Sequence, residues 1–231
     1  MSPLPHSISS TDIIAFIWFL LCWSSYSWLG KYFQAHKKNS LHSFSKSYRN
    51  EWMLQTLKRN NRITDAALLA NLMRNVAFFA STSIFILGGV IAIIANVDIA
   101  IKMVSDIPFT QEASTVFWKL KLLLLVFIFI YVFFKLIWSI RQFNTCIIIM
   151  GAAPEIFPDE EELLLYANKL GLVIHRAATH YNEGMRGYEY GLAILAWFIH
   201  PILFIIATSL VVIVIYRREF ISQTVRAMQE Y

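Results

Sequence analysis

The sequence predicts an all-α integral membrane protein, a helical bundle with about four transmembrane helices and long cytoplasmic helical extensions. The 231 residues are 57% hydrophobic and only 15% charged, which is more apolar and less charged than a typical soluble domain. Apolar runs long enough to approach a bilayer thickness recur along the chain. Lys and Arg collect in the connections between these runs. Together these observations predict a single membrane domain over residues 1–231.

The first predicted span covers residues 13–30, an uncharged segment that includes Trp18 and Trp23. It is barely long enough to cross a bilayer, so we expect little tilt. Residues 1–12 contain no Lys or Arg, whereas a signal peptide would begin with basic residues. We therefore expect this segment to be retained as a helix.

The second predicted span covers residues 76–97, which are uncharged and rich in small residues such as Ser83 and Gly88. Small side chains let membrane helices approach closely, so this span is predicted to pack against others. Thr64 and Asp65 have the side chains of a helix cap, which predicts a helix that begins there and extends to Val97.

The third and fourth predicted spans are both interrupted by polar groups. The third covers residues 117–140 and continues as helix to about Met150, which is too long for one upright crossing, so it should tilt or leave the lipid. The fourth covers residues 191–216 and contains His200 and Pro201. Proline inside a helix predicts a kink near the middle of this span.

The distribution of basic residues predicts the orientation. Nine Lys and Arg lie between Lys31 and Arg74 and five between Lys135 and Arg186. The positive-inside rule therefore places the connections 31–75 and 141–190 in the cytoplasm and both termini outside it. The remaining six basic residues are assigned to the opposite side: Lys102, Lys119, Lys121, Arg217, Arg218 and Arg226.

The cytoplasmic connections are predicted to be helical. Residues 31–61 mix cations with aromatic residues, which favours short helices in the headgroup layer. Asp159 and the acidic residues after it are typical of a helix start, and this helix should run from Leu163 toward Tyr190. One face of it would carry the polar residues His175, Thr179, Asn182 and Arg186, which recur at helical spacing.

Polar residues on the third helix predict a functional seam. Lys135, Ser139 and Gln142 recur at helical spacing, with Trp138 and Arg141 on the adjoining strip. Charged residues inside a spanning helix normally face a protein interior or a watery cavity. The alternative is that the bilayer ends near the start of this stretch, which would make these groups simple boundary residues.

Basic residues predict the class of ligand. Five cations, those of Arg74, Lys135, Arg141, Arg176 and Arg186, outnumber the acid Glu183 nearby. Arginine suits phosphate or carboxylate recognition, which indicates a small anion, a phosphorylated metabolite or a phospholipid headgroup. Internal pairing of these groups is the alternative. The predicted ligand-binding residues are Arg74, Asn75, Lys135, Trp138, Ser139, Arg141, Gln142, Asn144, Arg176, Asn182, Arg186 and Tyr188.

The sequence gives less support for a metal site, a cysteine pair or a catalytic site. His175, His180 and Glu183 are the residues to consider for a metal, but their spacing matches no familiar ligand pattern. Cys22 and Cys146 lack a partner spacing and are read as buried apolar residues. No familiar catalytic or cofactor motif is present, which disfavours an enzyme but leaves a lipid-modifying enzyme among the alternatives, and no cofactor is expected. The positive charge reflects membrane topology and does not indicate a nucleic-acid partner.

Five short motifs stand out along the chain, at residues 74–81, 134–144, 182–190, 196–201 and 216–220. Together they resemble the uncharacterised membrane family called domain of unknown function 599. The resemblance implies a bacterial inner-membrane protein of about four spans, with relatives in plants and no settled activity, and it marks many of the polar positions named above.

Three functional hypotheses follow. The first is binding or passage of an anionic ligand through a basic intramembrane pocket, as in a channel or transporter, with membrane lipid as a partner. A homo-oligomer is expected because four short spans are few for a complete transporter. The second is a structural or accessory scaffold that recruits a partner. The third is a lipid-modifying enzyme with His175 or His180 as acid or base.

Overall fold

The chain folds into an antiparallel helical bundle. The computed structural model describes residues 9–36, 40–106 and 114–229, with the side chains of residues 9–25, 40–106 and 114–228, and no strand occurs in these ranges. The α-helices are α1 Ser10–His36, α2 Leu41–Lys58, α3 Ile63–Ala95, α4 Val97–Ser105, α5 Thr115–Gly151, α6 Glu160–Leu195, α7 Pro201–Phe220 and α8 Gln223–Gln229.

Long apolar helices confirm the membrane prediction in part. Within the described residues, Ile63–Ala95, Thr115–Gly151 and Pro201–Met228 are long and apolar enough to cross a membrane. The first predicted span is helical, but its described apolar portion, Ser10–Ser25, is shorter than these. The side chains of residues 26–30 lie outside the described part of the chain. The structure thus supports three spans by length and composition.

The fourth predicted span is not one helix. The helix from Glu160 ends at Leu195, a 3-10 turn follows at Ala196–Phe198, and α7 begins at Pro201. Proline lacks an N–H and is tolerated in the first turn of a helix but not in its interior. His200 caps the new helix, since its Nδ1 accepts a hydrogen bond from Ile202 N at 3.1 Å. The predicted kink is therefore a complete break.

This break reverses the direction of the chain. Trp197 and Lys121 meet Asp12 at one end of the bundle, which we call the Asp12 end. At the other end, the backbone N–H of His42 donates to Glu219 near the close of α7, at 3.1 Å. We call this the Glu219 end. The two ends of the described chain thus lie at opposite ends of the bundle.

Glycines bring α5 and α6 into close contact. A Cβ atom at Gly187 would collide with Val132 Cγ2, and one at Gly191 would lie 2.9 Å from Phe129 Cε2. Gly184 is similarly close to Leu136. This close packing fixes the register of the two longest helices.

The ends of the long helices are held by polar contacts. Asp159 accepts from Glu162 N at 2.7 Å, which confirms the predicted start of α6. The predicted cap at Thr64 and Asp65 is wrong, because the capping position is Arg62 and no side chain caps there. Asp65 is instead fully buried in the first turn of α3 and accepts from Trp52 Nε1 at 2.7 Å.

Candidate functional site

The predicted seam on α5 mostly joins α5 to α6. Ser139 is fully buried and donates a hydrogen bond to the carbonyl oxygen of Ala177 at 2.8 Å. Lys135 Nζ lies 2.6 Å from Glu183 Oε2. The ring of Trp138 is exposed and lies 6.4 Å from that of His180. These contacts join α5 to α6.

The remaining predicted ligand-binding residues are spread over the bundle. Tyr188 is half-buried and donates its hydroxyl to the carbonyl oxygen of Phe79, which ties α6 to α3. Gln142 and Arg186 are half-buried as well. The others lie on exposed surfaces and do not form an enclosed pocket; they are Arg74, Asn75, Arg141, Asn144, Arg176 and Asn182.

The residues considered for a metal are not brought together. His180 Nδ1 lies 3.5 Å from Glu183 Oε2, beside α5. His175 instead contacts α2, where its ring centroid is 4.7 Å from that of His42. Across the described residues, no group of three or more His, Cys, Asp or Glu side chains could hold a metal ion.

A cluster of basic groups forms where α2, α6 and α7 meet at the Glu219 end. Arg49 Nη1 lies 3.5 Å from His175 Nδ1, and Glu219 bonds to the backbone of His42. Arg49 and both histidines are half-buried. We call this group the basic cluster; its members are His42, Lys46, Arg49, His175, Arg186 and Glu219.

The electrostatics of the basic cluster favour neutral histidines. Burial is the largest cause that lowers the pKa of His175, to about 4, and positive charge from His42, Arg49 and Lys46 lowers it further. Burial also lowers the pKa of His42, where Glu219 acts in the opposite direction. The surroundings of His175 therefore disfavour the protonated, positively charged form of its ring.

Sequence reasoning found this cluster only in part. His175 and Arg186 were placed on one helical face, and the charge of Arg186 does act on His42 in the structure. Arg49 was assigned to a headgroup-layer segment, and Glu219 was noted only as part of the family motif at residues 216–220. Arg49 and His175 are separated by 126 positions, so no local pattern in the sequence links them.

A second polar group lies at the Asp12 end. Lys121 Nζ donates to the carbonyl oxygen of Trp197 at 2.9 Å and lies 3.8 Å from Asp12 Oδ1. Trp197 Nε1 donates to the same Asp12 oxygen at 2.8 Å. Lys121 and Asp12 are both at most 5% exposed. Lys121 is thus a buried residue of α5.

The long apolar helices and their antiparallel packing are those of a helical membrane protein. A family model described as protein of unknown function, DUF599, matches residues 14–224. The chain therefore belongs to this family, and the resemblance seen from its motifs extends over nearly the whole length. No curated protein and no solved structure shows a significant match.

Proposed function

We propose that the protein binds the phosphate of an anionic lipid headgroup at the basic cluster. One observation carries the proposal: basic side chains of α2 and α6 meet at half-buried positions, where Arg49 Nη1 lies 3.5 Å from His175 Nδ1 and the ring of His42 lies 4.7 Å from that of His175, so that positive charges there would repel one another. An anion beside them would offset this repulsion. Arginine is well suited to the task, because its planar guanidinium can donate two parallel hydrogen bonds to phosphate.

The position of the cluster favours a lipid headgroup as the source of the phosphate. The apolar run of α7 ends at Tyr216, and Arg217 and Arg218 follow on an exposed surface. Glu219, one residue further on, bonds to the backbone of His42. The cluster therefore lies at the level where α7 would leave a bilayer, which is the headgroup level.

The reversed direction of α7 also changes the proposed orientation. Because α8 follows directly after α7, Arg217, Arg218 and Arg226 join the other basic residues at the Glu219 end. We infer that this end faces the cytoplasm and that the N-terminal end lies outside, in agreement with the positive-inside rule. The proposed membrane is the bacterial inner membrane, as the family resemblance implies.

A structural scaffold is the second candidate function. The ion pair of Lys135 with Glu183 and the buried bond of Ser139 to Ala177 support it. In this interpretation the polar residues shared with the family serve assembly, and homo-oligomerisation or a partner supplies the function.

A lipid-modifying enzyme would be tested separately, since unchanged lipid turnover in His175→Ala and His180→Ala would contradict it.

Native mass spectrometry from lipid nanodiscs would test the proposal. Wild type in nanodiscs of phosphatidylglycerol and phosphatidylcholine should retain phosphatidylglycerol, and Arg49→Gln should reduce this retention about tenfold. Lys58→Gln is the matched control, because it removes the same charge from an exposed position on α2. The masses in the same spectra also give the number of chains in the expected homo-oligomer.

Three outcomes distinguish the candidates. A bound mass of inorganic phosphate, in samples supplemented with phosphate, would assign the cluster to a soluble anion. Loss of lipid in Arg141→Gln but not in Arg49→Gln would move the site to the seam on α5. Equal lipid retention in wild type and all variants would reject headgroup binding and favour the scaffold.

A further inference from the structure

Glu219 is the acidic member of the basic cluster, and it bonds to the start of α2. Its Oε1 accepts a hydrogen bond from the backbone N–H of His42 at 3.1 Å. His42 is the second residue of α2, since this helix begins at Leu41. The next N–H group, that of Ser43, donates to the side chain of Ser40 at 3.2 Å. The first turn of α2 is thus held by one acceptor from its own cap and one from α7.

This contact places a carboxylate where a phosphate is also stabilised. Free N–H groups point out of the first turn of a helix, and the helix dipole adds partial positive charge there, which favours anions. At α2 basic side chains lie beside this turn, because the ring of His42 is 4.7 Å from that of His175. Arg49 Nη1 in turn lies 3.5 Å from His175 Nδ1. A phosphate held by Arg49 would therefore lie near the carboxylate of Glu219.

Two anions at this place would repel each other. Glu219 and the basic groups around it are half-buried, so charges there are screened less than at a fully exposed surface. The carboxylate already offsets part of the positive charge, since it raises the pKa of His42 against the larger, lowering effect of burial. A phosphate therefore gains more from the cluster when the carboxylate leaves it.

Glu219 also connects the cluster to the C-terminal helices. It is the last residue but one of α7, and α8 begins at Gln223. α8 contacts α2 as well, and its Val225 is almost completely buried. Departure of Glu219 from His42 would remove a polar contact that holds this end of the chain against α2.

We propose, on the basis of the headgroup binding proposed above, that Glu219 competes with the lipid phosphate and leaves His42 when the phosphate binds. With Glu219 in place, the basic cluster is partly neutralised and binds anionic headgroups weakly. With the phosphate bound, the end of α7 and α8 are held less firmly against α2. Lipid binding is in this way coupled to the packing of the C-terminal helices.

Native mass spectrometry in nanodiscs of phosphatidylglycerol and phosphatidylcholine would test the competition. Glu219→Gln removes the charge but keeps an acceptor for the N–H of His42, so it should retain about fivefold more phosphatidylglycerol than wild type. Glu51→Gln is the matched control, because it removes the same charge from an exposed position of α2, and it should behave like wild type. Combining Glu219→Gln with Arg49→Gln should abolish the gain, because the gain acts through the basic cluster.

Hydrogen–deuterium exchange measures the displacement without any substitution. Peptides from α8 of the wild-type protein should exchange faster in nanodiscs that contain phosphatidylglycerol than in nanodiscs of phosphatidylcholine alone. This comparison also decides the question if Glu219→Gln does not fold.

Several results would overturn the competition. These are unchanged or lower lipid retention in Glu219→Gln, an equal gain in Glu51→Gln, and exchange of α8 that phosphatidylglycerol leaves unchanged or slows. If retention still depends on Arg49, headgroup binding at the cluster stands without the competition. Equal retention in wild type and Arg49→Gln would reject the site itself and the competition with it.

Discussion

At the Asp12 end, Lys121 and Asp12 are almost completely buried within 3.8 Å of each other, whereas at the Glu219 end Arg49 and His175 are half-buried among further basic groups. The first arrangement is balanced in charge and closed to water. The second carries excess positive charge and is partly open. The charged side chains at the two ends thus differ in burial and in the charge around them, and these surroundings determine what each group contributes.

This difference in burial and charge predicts which substitutions should change folding stability and which should change ligand binding. Removing one partner of a buried ion pair leaves an uncompensated charge in the interior, which is strongly destabilising. Removing one member of a repulsive, half-exposed cluster relieves repulsion and should change stability little. We therefore expect substitutions at the Asp12 end to affect folding and substitutions in the basic cluster to affect ligand binding.

The largest effect is expected for Lys121→Met. This substitution leaves Asp12 buried without its cation and should reduce the free energy of unfolding by roughly 3–5 kcal/mol. Adding Asp12→Asn removes the charge but keeps an acceptor for Trp197 Nε1, so the double variant should regain most of the loss. Unfolding in mixed micelles of increasing SDS content measures both. A single variant within about 1 kcal/mol of wild type would contradict the buried pair's role.

The close packing of α5 against α6, the two helices that run between the Asp12 end and the Glu219 end, can be tested by substitution at Gly187. Gly187→Ala places a methyl group against Val132 and should destabilise the bundle by about 1–3 kcal/mol. Gly88→Ala is the control, since a Cβ there meets nothing within 4 Å. The control should be unchanged or about 0.5–1 kcal/mol more stable. Thermal unfolding followed by circular dichroism gives both values, and equal losses would argue against close packing at Gly187.

The basic cluster should make stability depend on pH. The pKa of His175 is about 4 in the folded protein and about 6.5 in an unfolded chain. As the pH falls from 6.5 to 4, the unfolded chain gains a proton that folded His175 does not accept, so stability decreases across this window. His42 has a lowered pKa as well and acts in the same direction.

His175→Asn provides the control for this pH effect. It lacks the titrating ring but keeps the other charged groups of the cluster, so it should lose less stability between pH 6.5 and pH 4. Anionic lipid should also reduce the loss in wild type, because a bound phosphate favours protonated His175. Melting temperatures between pH 6.5 and pH 4 should be measured for wild type, for wild type with anionic lipid and for His175→Asn. Parallel curves for wild type and His175→Asn would remove His175 from the explanation.

The smallest effect is expected for Arg218→Gln. Arg218 Nη1 lies 2.9 Å from Glu189 Oε1, but the side chain of Arg218 is 51% exposed. Exposed ion pairs contribute less than about 1 kcal/mol, so the variant should unfold almost like wild type. Arg217→Gln removes the same charge from the neighbouring exposed position and serves as the control. A difference between the two well above 1 kcal/mol would show that this pair is stronger than its exposure suggests.

The sequence predicted the long helices well, because the signals for them are local. The apolar run and the acidic start of α6 were sufficient to place α5 and α6 within a few residues of their observed bounds. The break before Pro201 was read as a kink, since sequence alone does not show that the chain has room to turn back. The sequence therefore predicted one span over residues 191–216, whereas in the structure α6 ends at Leu195 and α7 begins at Pro201 and runs back along the bundle.

The candidate sites depended on contacts between distant segments. The seam around Lys135 was found because its residues recur within one helix, although in the structure it mainly joins α5 to α6. The basic cluster requires α2 to pack on α6, and the buried pair of Asp12 and Lys121 requires α1 to lie beside α5. Neither arrangement leaves a periodic signal in the sequence.

By itself, the sequence determined that this chain is a helical membrane protein of the DUF599 family, because hydrophobicity, helix starts and family motifs are properties of neighbouring residues. Only the tertiary structure decided that Lys121 is buried against Asp12 and that Arg49 meets His175. The environment of a charged group depends on which helices pack around it, and those helices come from distant parts of the chain.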